Sequence, residues 1–162
     1  MSKKEISLET IKEDYKELQK KYSLPSFEEL DEDFQIEKTT EVETDHLLRE
    51  MRKIIAEKLY NYLRFVETLL NPANAPMFIF SLVKSIGEDE KKELGEIYKK
   101  LATSEVKLIE TDLVHSEEKE ALFIKESYKL WQGIKKDLLK IIGHIKSNWD
   151  NKPEGKSKGY FG

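Results

Sequence analysis

A chain of 162 residues is long enough to hide roughly 70% of its unfolded surface in one core. Its zero cysteines exclude disulfide scaffolds, thiolate metal sites and cysteine nucleophiles. Charged residues make up 37%, against a usual ~25%, and the net charge of −4 excludes a strongly basic, nucleic-acid-type balance overall. Lysine outnumbers arginine 25 to 3, and this Lys/Glu bias is also a signature of heat-adapted proteins. The opening Met1-Ser-Lys-Lys has no signal-peptide core behind it, and no run of about eighteen apolar residues exists anywhere, so a cytoplasmic location away from membranes is expected.

The first predicted helix runs from Ser7 to about Tyr22, with Ile11, Tyr15, Leu18 and Tyr22 on one face and Ser7 as its cap. Pro25 stops it. Ser26-Phe-Glu-Glu29 then reads as a capping box, opening a short helix whose apolar positions are Phe27, Leu30 and Phe34. This ridge lies in the most acidic part of the chain: residues 26–45 hold nine carboxylates and one cation, Lys38. A second capping box, Thr40-Glu-Val-Glu43, predicts a long helix from near Glu41 to Leu70, with an apolar set broad enough for a bundle core.

Next comes the densest apolar run of the sequence, Met77 to Val83, between Pro76 and Gly87. Pro76 suits a first helical position and Gly87 a left-handed end, so a short helix over about 76–86 is expected. Apolar nearly all round, it should be buried, with Phe78 and Leu82 in the core and the other helices organised around it. Glu88-Asp-Glu90 places negative charge at the start of the next helix. Leu94, Ile97, Leu101 and Leu108 mark its inner face, widened by Tyr98, Ala102, Val106 and Ile109. The last helix carries a three-four stripe of Ala121, Ile124, Tyr128, Trp131, Leu138, Ile142, Ile145 and Trp149. The two stripes are out of phase, which requires a break between Asp112 and Ser116 although no Gly or Pro marks it. Gly95, Gly133 and Gly143 fall inside helices, where close helix–helix approach is the expected reason.

The predicted fold is therefore all-α. It is a bundle of four principal helices with a short buried helix at about 76–86 and an N-terminal helical extension. Residues 1–150 are expected to form one helical domain (1–39 the N-terminal helix and short acidic helix, 40–150 the bundle core), followed by a disordered tail at 151–162.

The chemistry on offer is thin. Glu43-Thr-Asp-His46 and Asp112-Leu-Val-His115 have the Glu-x-x-His type of spacing by which helical bundles set two metal ligands on one face. Di-metal bundles need two such pairs plus two inward carboxylates, and no Glu interrupts the apolar stripes read above, so Glu43, His46, Asp112 and His115 are weak metal candidates. Glu28-Glu29-Leu-Asp-Glu32 is similar to the first half of the magnesium motif of all-helical nucleotide pyrophosphohydrolases, but the second half is missing. No catalytic residue and no cofactor is predicted. Lys125, Lys129, Lys136 and Lys140 form a basic stripe on the last helix, a candidate for weak nucleic-acid binding. The sequence favours a non-catalytic protein-interaction or scaffold domain, acting on a protein partner or by self-association. Phe27, Leu30, Phe34 and the lysine stripe are its candidate interaction residues. A metal-dependent bundle enzyme, of nucleotide-hydrolase or di-metal type, is the alternative.

Overall fold

The computed structural model describes residues 7–41 and 44–150, without the side chains of Thr40 and Glu41. The expected tail at 151–162 and Glu43 lie outside the described residues. Among the described residues six α-helices follow one another: α1 Leu8–Tyr22, α2 Phe27–Phe34, α3 Leu47–Leu70, α4 Met77–Val83, α5 Glu88–Val114 and α6 Glu117–Asp150. A 3-10 helix, Ile36–Glu41, joins α2 to α3, and no strand occurs among the described residues. The all-α bundle is as the periodicity requires, but its principal helices number three. α3, α5 and α6 each pack against the other two, while α1 and α2 extend the core along one side.

Local chemistry sets most of the boundaries. Ser7 Oγ accepts the Thr10 N–H (3.3 Å) at the start of α1. The Ser26 capping box is complete, with Glu29 N–H on Ser26 Oγ (3.1 Å) and Ser26 N–H on Glu29 Oε2 (2.8 Å). Three helices end on a left-handed residue, and none is glycine: Ser23, Gln35 and His115, each with φ of 54°. The break before Ser116 is thus real, and it escapes a Gly/Pro reading because His115 takes the left-handed position. The long helix α3 begins at Leu47, not near Glu41, because residues up to Glu41 wind as a 3-10 turn that buries Ile36 and Thr39.

The short helix exists, but it is neither buried nor central. Met77 and Phe78 are each 59% exposed, and within α4 only Ile79 is buried. With two turns and three long helices already closing on one another, α4 covers part of α3 through one face. Pro76 precedes it, and Gly87 ends nothing: with φ of −80° it precedes α5. The glycine reading also changes, since a Cβ at Gly95, Gly133 or Gly143 would meet nothing within 4 Å. No close helix approach explains them.

Phe78→Ala is therefore expected to cost at most about 1 kcal/mol. Glu90 does more. Its Oε1 accepts the Gly87 N–H (3.2 Å) and lies 2.5 Å from His144 Nδ1, tying the start of α5 to α6. Glu90→Ala should cost about 1–2 kcal/mol, and a urea titration of both variants checks the order. A larger loss at Phe78 would restore α4 as part of the core.

The inner face of α6 also runs differently from the expected stripe. After Ile124 the buried line is Ser127, Trp131, Ile134, Leu138, Ile141 and Ile145, leaving Ile142 and Trp149 exposed. Ile134 fills the interval that the expected stripe leaves between Trp131 and Leu138.

Candidate functional site

The weak metal candidates come together in part, at the end of the bundle where α3 starts and α5 turns into α6. His46 and His115 line one cleft of about 320 Å³ with Leu48, Arg49, Glu117 and Glu120. Neither histidine sits on a helical face: His46 precedes α3 and His115 is the left-handed residue after α5. That removes the i, i+3 geometry on which a paired ligand reading depends. Asp112 points instead at Arg52, its Oδ1 3.2 Å from Nη2. Among the described residues, no three His, Asp or Glu side chains are placed to share a metal ion.

What occupies this end is a buried ion pair. Arg52 of α3 donates from Nε to Glu120 Oε2 (2.6 Å) and from Nη2 to Glu120 Oε1 (3.2 Å), a two-pronged contact between side chains only 6% and 3% exposed. Burial alone would lower the Arg52 pKa, but the hydrogen bonds and charge of Glu120, with Asp112, raise it, so the guanidinium stays charged. Arg49 adds a looser contact at 3.7 Å to the same carboxylate. Glu120 interrupts an apolar face that the sequence reading took to be free of acids. The available signal was arginine itself. In a chain rich in lysine, two of three arginines fall one helical turn apart at 49 and 52, where a fork-shaped, weakly hydrated cation is the residue suited to a buried carboxylate.

The acidic ridge is an internal joint. Phe27, Leu30 and Phe34, named as candidate interaction residues, are buried against the bundle. Phe34 meets the Trp131 ring at 6.2 Å, and Trp131 stacks on Tyr62 at 4.7 Å. The neighbouring Asp33 carboxylate accepts hydrogen bonds from Gln132 Nε2 (2.6 Å) and Lys135 Nζ (2.8 Å) of α6, while Lys58 of α3 donates to its backbone carbonyl. The charged contact between α2 and α6 is made by Lys135. Lys125, Lys129, Lys136 and Lys140 are all exposed on the outer side of α6, with no ion pair among the described residues.

The apolar surface lies elsewhere, on α5. Its buried line is Leu94, Ile97, Leu101, Ser104 and Thr111. Tyr98, Ala102, Val106 and Ile109, expected to widen that line, instead run outward with Leu113 in a second stripe at spacings of four, four, three and four. Tyr98 is 37% exposed, Val106 68%, Ile109 60% and Leu113 76%. Val114 and Leu122, both exposed, lie by the turn at its end. The chain matches no family model, no curated protein and no solved structure.

Proposed function

We propose that the chain is a non-catalytic helical interaction domain that docks a protein on the outer face of α5. The observation that carries this reading is the two-sided apolar character of α5. A surface helix keeps one apolar stripe for its own core and a charged opposite face. Here the opposite face carries Val106, Ile109 and Leu113, none of which any described residue covers. Contiguous exposed apolar patches of this kind mark association surfaces in soluble proteins. The remaining chemistry serves the fold: Arg52 engages Asp112 and Glu120, and Asp33 holds α2 on α6. A chain without cysteine suits the reducing cytoplasm, where we place its work.

The test is site-specific photocrosslinking of the full chain in its own cells. Benzoylphenylalanine at position 106 should give a protein adduct on irradiation, and the same group at Glu57, exposed on α3, should not. No adduct at 106, or equal adducts at both positions, removes the reading.

A further inference from the structure

Resting on that reading of α5, we infer that the occupant of its outer face is a second copy of this chain, lying antiparallel to the first. The stripe from Tyr98 to Leu113 is close to symmetric about a point beside Val106. In an antiparallel pair with its twofold axis there, Tyr98 faces the partner's Leu113 and Ala102 faces the partner's Ile109. Large side chains thus meet small or flat ones, and Val106 lies next to the partner's Val106. Two helix faces interdigitating at such spacings form an isologous contact that closes on itself, with no edge left to recruit a third copy.

Charge selects the orientation. On one flank of the stripe, Lys92 and Lys99 stand toward the start of α5 and Glu110 toward its end. Lys92 and Lys99 make no ion pair among the described residues, while Glu110 holds Lys119 at 2.8 Å with an exposed carboxylate open to a second cation. The Lys119 hydrogen bond and charge keep the Glu110 carboxyl below its ordinary range, so it is ionised at neutral pH. Antiparallel packing opposes flanks of the same side. It brings Lys99 beside the partner's Glu110 and sends Lys92 toward the acidic first turn of the partner's α6, which begins Glu117-Glu118. Parallel packing in register would turn this flank toward the partner's other flank, so Lys99 would not meet the partner's Glu110. Rim charges of this kind decide register and orientation, while the apolar stripe supplies the affinity. The stripe covers about 22 Å of helix, at the small end of specific interfaces, so a dimer in the micromolar range is expected.

Sedimentation of the full chain from about 1 μM to 1 mM should show the 19.1 kDa monomer giving way to a species of twice that mass. The double variant Ile109→Lys/Leu113→Lys should raise the dissociation constant at least about 100-fold. Both side chains are mostly exposed, so an unchanged circular dichroism spectrum and melting temperature are expected alongside. Orientation is read by disulfide trapping, which the cysteine-free chain makes unambiguous. Val106→Cys should oxidise to a covalent dimer, as should a mixture of the Tyr98→Cys and Leu113→Cys chains. Leu113→Cys alone should not, because the antiparallel pair holds its two copies about 22 Å apart, well beyond disulfide reach. A monomer across the whole range, or ready dimerisation of Leu113→Cys alone, overturns the inference. Should the position-106 adduct instead be a different protein, the second copy is excluded while the interaction reading stands. Absence of any adduct removes that reading itself.

Discussion

Glu120→Ala is expected to lower the stability of the chain by about 3–5 kcal/mol, a large share of what holds a domain of this size together. The loss comes less from the attraction removed than from what is left behind. Arg52 cannot shed its proton, and its guanidinium, 6% exposed, would face the core without the carboxylate that satisfies it on two sides. Asp112 is too exposed to replace that partner, at 65%. Removing both charges tests the cause. Arg52→Met/Glu120→Leu keeps the volume and creates no orphaned ion, so it should recover most of the stability lost in the single variant. Urea unfolding of the wild type, Arg52→Met, Glu120→Leu and the double variant gives the coupling directly. A single-variant loss below about 1 kcal/mol, the size of an exposed pair, would mean that water reaches the guanidinium.

The parts of the fold that sequence exposes are those written in local chemistry. The Ser7 cap, the Ser26 capping box, the Pro25 stop and the end of α3 at Leu70 are legible because one or two neighbouring residues decide them. What stays hidden depends on comparing elements. Met77 to Val83 looks like a core because every residue in it but Ser81 is apolar, but burial is decided by whether other helices surround it. α5 carries apolar residues on two opposite faces, and periodicity alone assigns both to one wide inner face. Only the positions of α3 and α6 show that Leu101 points in and Val106 points out. Likewise His46 and His115 have the right spacing to Glu43 and Asp112 in the sequence. Whether a spacing of three means one face depends on the backbone being helical there, and at both histidines it is not. The Arg52–Glu120 pair, 68 residues apart in the chain, leaves no local mark beyond the choice of arginine over lysine.

The joint between α2 and α6 should prove as costly to break as the ion pair. Phe34→Ala is expected to cost about 3–5 kcal/mol, since the ring is 2% exposed and its removal leaves a cavity beside Trp131. The acid next to it contributes in a way that pH reveals. Burial alone would push the Asp33 carboxyl up, but hydrogen bonds from Lys135 and Gln132 and the Lys135 charge outweigh it and hold the group below its ordinary value. A carboxyl lowered by folding stabilises the native state fully above the unfolded-chain pKa of about 3.9, and the contribution fades as pH falls through the still lower folded value. The stability gap between the wild type and Asp33→Asn should therefore be constant from pH 7 to about 5 and shrink below about 4. Lys135→Ala should matter less, about 0–1 kcal/mol, because that side chain is 42% exposed. The ranking follows from the geometry: the aromatic contact supplies most of the docking free energy, and the charge fixes where along α6 it forms. Unfolding curves of the three variants at several pH values check it. A Phe34→Ala loss no larger than that of Lys135→Ala, or a gap at Asp33 that widens toward acid, would show that the acidic segment is held on the bundle by something other than this joint.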